Sequence, residues 1–310
     1  MAHVVFMGTP DFAVPALQRL IEEHTVVGVV TQPDRPAGRG KHVQMSPVKK
    51  VALAANVPVF QPETLRRAEA IDELRRWEAE VYVVAAFGQI LPQAVLDIPV
   101  CGALNIHASL LPRWRGAAPI QAAIHAGDTV SGVTIMTMEA GLDTGPVLTR
   151  RAIALARDET GQSLHDKLSE LGGELLIETL PGYLSGDIPA QSQDEALVTL
   201  APRIDKDEGR IDWTQSAVQI ERTIRAFTPW PGTFTHWDGK LLKLIAADLA
   251  FGSDYPDAQP GVVAQYDGQT AIGTGGGLIY PTRVQLEGKS AVVIDDFVRG
   301  YPAFIGTTLE

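Results

Sequence analysis

The sequence predicts an α/β fold: a doubly wound, mostly parallel sheet followed by a smaller β-barrel. Three observations predict it. Apolar, β-branched runs alternate with helical patterns through the first half of the chain. Those runs are continuously apolar, which suits strands buried on both faces. Beyond the helical stretch 217–227 the pattern changes to short runs separated by Gly and Asp, as in a small antiparallel barrel.

In order, HVVFMG (3–8), TVVGVVTQ (25–32), VPVF (57–60), VYVVAAF (81–87), ALNIHAS (103–109) and GVTIMTME (132–139) read as strands of one parallel sheet. Between them, 11–24 places Phe12, Leu17, Leu20 and Ile21 near helical spacing, and 63–78 reads as a second helix. Residues 160–186 predict a long helix despite Gly172 and Gly173, on a stripe of Leu164, Leu168, Leu171, Leu175 and Leu176. The polar, Pro-broken stretch 187–206 reads as a linker. The runs KLLKLIAADLAF, PGVVAQY, TAIGTG, GLIYPTRVQL and AVVIDDFV supply the barrel. The expected organisation is therefore one domain over 1–186, a linker over 187–206 and a barrel domain over 207–310.

The composition is that of a soluble globular protein, with 45% hydrophobic and 20% charged residues. A single cysteine, Cys101, excludes an intrachain disulfide framework and a Cys-based zinc site. With an N-terminus that reads as a strand rather than a signal, it predicts a cytoplasmic protein. No apolar run reaches the ~18 residues of a membrane span. The net charge of −11 argues against coating nucleic acid by bulk electrostatics. The distribution is uneven, however. Residues 33–50 hold Arg35, Arg39, Lys41, Lys49 and Lys50 against Asp34, a net +4.

Ligands of such sheets bind beyond the carboxyl ends of the strands. There the sequence reads NIHASLLPRWRGAAPIQ (105–121), with Asn105 and His107 on one strand face by period two. Position alone leaves His107 open between a structural and a catalytic part. A carboxylate from another segment would favour catalysis. Asp143, in EAGLDTGP (139–146), follows the strand 132–139 and is expected at another strand end on the same side. The triplet DTG also matches the aspartic-protease motif, but that chemistry needs a second carboxylate, and no second DTG or DSG is present. GTPDFAVP (8–15) fits a tight turn with Asp11 capping the next helix better than a phosphate loop. None of the seven His stands in a zinc pattern, so no metal is expected.

NIHASLLPRWRGAAPIQ and the turn GLDTG resemble the signature of the folate-dependent formyltransferases. GTPDFAVPAL, TQPDRPAGRGK, SPVK, VFQPETL, AAFGQILP, RIDW and RAFTPWPG extend the resemblance, in order, to the members that act on methionyl-tRNA. It implies a Rossmann-like formyltransferase domain and an OB-like barrel; nothing in the sequence demands more than a monomer. The implied reaction moves a formyl group from 10-formyltetrahydrofolate to the α-amino group of initiator methionyl-tRNA. Asn105 is implied as oxyanion donor, His107 as oxyanion donor and proton shuttle, and Asp143 as the group orienting His107. The resemblance places the folate against Phe87, Gly88, Ile90 and Leu91, and against Ser109, Leu110, Leu111 and Pro112. It places the tRNA acceptor arm against the basic loop 33–45, with Arg35, Arg39 and Lys41 as contacts. One departure stands out. The family's barrel offers a basic face to tRNA, whereas residues 201–310 hold ten Lys/Arg and fourteen Asp/Glu, net −4.

The alternatives are a formyltransferase acting on an amino sugar nucleotide, a 10-formyltetrahydrofolate hydrolase, and a non-catalytic RNA-binding protein on the same fold. The basic loop favours tRNA over a sugar nucleotide. The presence of Asn105, His107 and Asp143 together favours catalysis.

Overall fold

Valine-rich, largely apolar strands build the centre of the chain. In the computed structural model, which describes residues 1–37, 42–249 and 258–310, these strands are β1 (His3–Gly8), β2 (Thr25–Val30), β3 (Val59–Phe60), β4 (Val81–Ala85), β5 (Ala103–His107), β6 (Val130–Thr137) and β7 (Val147–Ala154). They form one seven-stranded sheet in the order β7-β6-β5-β4-β1-β2-β3. Val4 to Met7 of β1 and Val81 to Val83 of β4 are wholly buried, as strands covered on both faces require. The sheet belongs to the first of two units, Met1–Pro119 with Val130–Ala154 and His165–Pro202.

Pairing is parallel from β3 to β5 and antiparallel from β5 through β6 to β7. The run 132–139 was expected to be parallel, and it is not. The direction of β6 is set by the connection 108–129 that leads into it from β5, while residues 138–146 only turn and lead straight into β7, which is too short a path for a parallel crossover. That last strand was not expected at all. Its sequence, VLTRRAIA, alternates between half-buried and exposed positions along most of its length, as an edge strand does.

The long helix Gly161–Ser185 forms as expected, with Gly172, Gly173 and Pro181 inside it. A Cβ on Gly172 would lie 2.8 Å from Ile106 Cγ2, so glycine lets the helix press onto β5. Ile106 faces that helix, and Asn105 and His107 therefore face the other side of the sheet. A helix over Pro47–Ala54 had gone unread. Ser46 caps it, accepting from Lys49 N at 3.1 Å, and Pro47 opens it.

The stretch 187–206 is not a free linker. Val147 and Gln191 exchange two backbone hydrogen bonds of 2.8 Å, and Leu200–Ala201 pairs with Arg115–Gly116. The polar composition that suggested a tether serves hydrogen bonds to the first unit instead.

The basic loop is a short hairpin, with Arg35–Ala37 antiparallel to His42–Gln44. At its base Asp34 accepts from Lys49 Nζ at 2.5 Å and Gln61 Nε2 at 2.8 Å. The Lys49 ammonium holds the Asp34 carboxyl below the usual carboxylate range. Lys49 and Asp34 thus neutralise each other, and the net +4 of the island rests on Arg35, Arg39, Lys41 and Lys50.

The second unit comprises Ile120–Thr129, Leu155–Leu164 and Arg203–Glu310. Its antiparallel sheet contains β8 (Thr233–Trp237), β9 (Lys240–Leu249), β10 (Val263–Tyr266), β11 (Gln269–Gly273), β12 (Leu278–Leu286) and β13 (Val292–Val293). The order is β8-β9-β12-β11-β10, with β13 on β12. Leu242, Leu244, Ile272, Ile279, Val284 and Phe304 fill its core. The segment 306–310 bonds to both edges and closes the sheet. Gly306 N donates to Val263 O at 2.8 Å, and Glu310 and His236 exchange bonds of 3.1 and 3.2 Å. AVVIDDFV, expected as a strand, is only briefly one. Ile294–Gly300 is a helix with Asp295 and Asp296 in its first turn, where the helix dipole favours carboxylates. Among the described residues no helix is long and apolar enough to cross a membrane.

Candidate active site

β5 delivers Asn105, half-buried, and His107, 5% exposed, to the face opposite the long helix. Asp143 reaches them by a different route from the one expected. Because β6 is antiparallel, its last residue, Thr137, lies opposite Leu104 at the start of β5. The turn after it is pinned there by Met138 N donating to Ala103 O at 2.8 Å and Thr137 N to Pro146 O at 2.9 Å. From this position residues 138–146 fold back over β5. Asp143 takes a left-handed conformation, φ 51°, that Asp tolerates better than most residues.

The result is a cluster of three. Asp143 Oδ1 lies 3.4 Å from the donating Asn105 Nδ2. Its Oδ2 accepts from Gly116 N at 2.9 Å and stands 3.6 Å from His107 Nδ1, an electrostatic contact rather than a hydrogen bond. His107 Nε2 is 2.9 Å from the carbonyl oxygen of Trp114. A carbonyl can only accept, so Nε2 carries a hydrogen and Nδ1 is the nitrogen that faces the carboxylate.

The segment after β5 turns sharply and is held at every step. Ser109 Oγ donates to Arg113 O at 2.6 Å. Thr134 Oγ1 donates to Ser109 O at 2.7 Å and accepts from Leu111 N at 3.1 Å. The Arg113 guanidinium sits 4.2 Å above the Trp114 ring, and Trp114 N donates to Thr199 Oγ1 at 2.9 Å. Gly116 has φ 125°, and a Cβ there would come within 2.4 Å of Ala201 O. Glycine is the residue that can present its N–H to Asp143 from this backbone.

At the end of β4, Phe87 O accepts from Thr9 Oγ1 at 3.0 Å and Gln32 Nε2 at 3.3 Å, and Gly88 follows at φ 83°. Phe87, Leu91, Ser109 and Leu111 are buried, so what they can offer a flat heterocycle is main chain. Ile90, 77% exposed, and the half-buried Leu110 and Pro112 can offer side chains. Arg35 is exposed on the hairpin. Arg39 and Lys41 lie outside the described residues.

Two residues at the cluster escaped the sequence reading. Arg115 is 4% exposed. It donates through Nε to Gln193 Oε1 at 3.0 Å and forks onto Glu195 at 2.8 and 3.2 Å, holding that carboxyl below its usual range. Gln193 Nε2 donates to the carbonyls of Asp143 and Gly145, both at 2.8 Å. No local signal marks these bonds, since both partners are ordinary polar residues far apart in sequence. Among the described residues no group of three or more His, Cys, Asp or Glu is placed to hold a metal ion.

Known proteins resemble this chain in sequence and in fold. The family model described as formyl transferase matches residues 1–180, and its C-terminal domain model matches 203–302. The chain is 46% identical to a methionyl-tRNA formyltransferase of Geobacter sulfurreducens, covering 99% of this chain and 96% of that protein. It is 50% identical to one from Pseudomonas fluorescens, covering 95% and 92%. Among solved structures, an N-formyltransferase from Helicobacter canadensis, in complex with folinic acid and dTDP-3-aminofucose, superposes with a TM-score of 0.65 at 17% identity, covering 91% of this chain and 99% of that one. HypX from Aquifex aeolicus in complex with tetrahydrofolic acid superposes with a TM-score of 0.62 at 19% identity, covering 96% of this chain and 47% of that one. At such identities the structures speak for the fold alone. The near full-length identity to the methionyl-tRNA enzymes, together with the matches to both halves, places this chain in the formyltransferase family, on its methionyl-tRNA branch.

Proposed function

We propose that this protein transfers the formyl group of 10-formyltetrahydrofolate to the α-amino group of initiator methionyl-tRNA. The observation that carries the reading is the convergence of Asn105, His107 and Asp143 on one face of β5, in a chain about half identical along its length to methionyl-tRNA formyltransferases.

The chemistry sets three demands. A neutral amine attacks the formyl carbon, an oxyanion forms, and the bond to N10 breaks as that nitrogen takes a proton. The amine needs little help, because α-amino groups titrate near ~8. The oxyanion needs donors. Asn105 directs one amide hydrogen at Asp143 and has a second for the oxyanion. His107 supplies the other donor and carries the proton from the attacking amine to the departing nitrogen. Asp143 fixes the ring and balances its charge while it holds the proton. The folate lies against the turns 86–92 and 109–112, which offer main-chain groups beside Ile90, Leu110 and Pro112. Arg35, Arg39 and Lys41 of the basic loop meet the tRNA backbone.

The test is direct. The protein, 10-formyltetrahydrofolate and initiator methionyl-tRNA should yield formylated product. Product only with an amino sugar nucleotide, or release of formate without any acceptor, would replace this assignment.

A further inference from the structure

The segment 191–201, expected as a linker, is hydrogen-bonded to both turns that frame the cluster. Gln193 stands at their junction. Its amide nitrogen donates to Asp143 O and Gly145 O, each at 2.8 Å, and its amide oxygen accepts from Arg115 Nε at 3.0 Å. On one side of Arg115, the Trp114 carbonyl lies 2.9 Å from His107 Nε2. On the other, Gly116 N donates to the Asp143 carboxylate at 2.9 Å. These bonds link His107, the 114–116 backbone, Arg115, Gln193, the Asp143 backbone and the Asp143 carboxylate, and the electrostatic contact of that carboxylate with His107 Nδ1 at 3.6 Å completes the ring.

We infer that Gln193 is a positioning residue for the formyl transfer, setting the Asp143 carboxylate against His107 and Asn105. The inference rests on the catalytic reading of those three residues. Three features of the geometry give it force. Asp143 sits at φ 51°, a conformation that costs energy for any residue with a Cβ and persists where its surroundings hold it. Gln193 bonds the carbonyl of Asp143 itself, so it grips the backbone at the strained residue. Both Gln193 donations go to one short turn, leaving that turn little freedom to rotate about either bond alone. Arg115 keeps the glutamine oriented, and it is kept in turn by Glu195. The carboxylate is already long in its contacts to Asn105 and His107, at 3.4 and 3.6 Å. A displacement of about 1 Å in a reacting constellation costs on the order of a hundredfold in rate.

The experiment is a double-mutant cycle on the full chain, with kcat and KM for both substrates. Gln193→Ala should lower kcat by about ten- to a hundredfold and leave each KM within about twofold. Gln193→Glu keeps the contact to Arg115, loses both donations and sets a carboxylate against two carbonyls; it should lose at least as much. This variant keeps the question answerable if the alanine variant folds poorly. Asp143→Asn defines the reference loss. If Gln193 acts through Asp143, adding Gln193→Ala to Asp143→Asn should cost less than about threefold more. A merely structural residue would give losses that multiply, and that outcome overturns the inference. So does a Gln193→Glu variant with full activity. If Asp143→Asn itself retains full activity, the failure belongs to the catalytic reading of Asp143 instead.

Discussion

Thr134 is the residue on which the turn after β5 depends most heavily. It is wholly buried, and so are its two partners, Ser109 and Leu111, at 1% and 2% exposure. Its hydroxyl donates to one carbonyl and accepts from one backbone N–H. Thr134→Val keeps the shape and removes both bonds, leaving two main-chain groups with no water in reach. Each such group costs about 1–3 kcal/mol when unsatisfied. Partial relaxation of the turn brings the expected total to about 2–4 kcal/mol. For a unit of this size each kcal/mol lowers the midpoint by about 2–4 °C, so the transition of the first unit should fall by about 5–15 °C in calorimetry. Thr134→Ser keeps the hydroxyl and loses one methyl group, an expected cost of about 1 kcal/mol. The order matters more than either value. If serine destabilises more than valine, or if valine stays within about 0.5 kcal/mol of the parent, the hydroxyl does not hold the turn and the reasoning fails.

Asn105→Ala and His107→Ala should each lower turnover at least about a hundredfold with folate binding largely kept; equilibrium titration with a folate analogue separates this from loss of the binding site. Arg35→Ala and Arg39→Ala should raise KM for tRNA and flatten its salt dependence, measured by formylation kinetics across ionic strength. His125 predicts an acid limit to stability. Partial desolvation, then the nearby Arg222 cation, holds its imidazole below the ordinary value of 6.5, although the residue keeps an exposed side. It stacks on Phe227, and its Nε2 lies 2.9 Å from the Gln219 amide nitrogen, which can only donate. The fold favours the neutral ring, so the unfolded chain takes up the proton first as pH falls. That stabilisation is complete above pH 6.5 and is lost as pH drops through the depressed value. Denaturation between pH 7 and 5 should show a shallower slope for His125→Gln than for the parent.

The parallel strands were legible because burial on both faces leaves only apolar residues to write them with. Asn105 and His107 were legible as a pair because strand alternation is a local property. Asp143 was found by a flawed route: the direction of β6 depends on how the long connection 108–129 returns the chain to the sheet, and nothing within the strand itself encodes direction. β7 escaped because Arg150 and Arg151 interrupt its apolar run at the solvated edge. The Ser46–Pro47 start of a helix was readable from capping preference, yet the basic residues beside it suggested a loop. Gln193 and Arg115 were not readable, since what distinguishes them is whom they meet across the fold. The same holds for Lys49, whose pairing with Asp34 no local signal marks.

The contact boundary of the second unit also bears on how the chain can be cut and recombined. Its segments Ile120–Thr129 and Leu155–Leu164 are threaded through the sequence of the first. Within that unit Arg222 Nη1 donates to Ala126 O at 3.3 Å, Arg225 Nη1 to Glu159 O at 2.9 Å, and Gln162 N to Thr228 O at 3.1 Å. A fragment beginning at Arg203 would leave all of these unmade and the ring of Phe227 without its His125 cover. The barrel is therefore not a portable module. A graft between relatives would have to carry both upstream segments with it, which ties the inheritance of the two halves together.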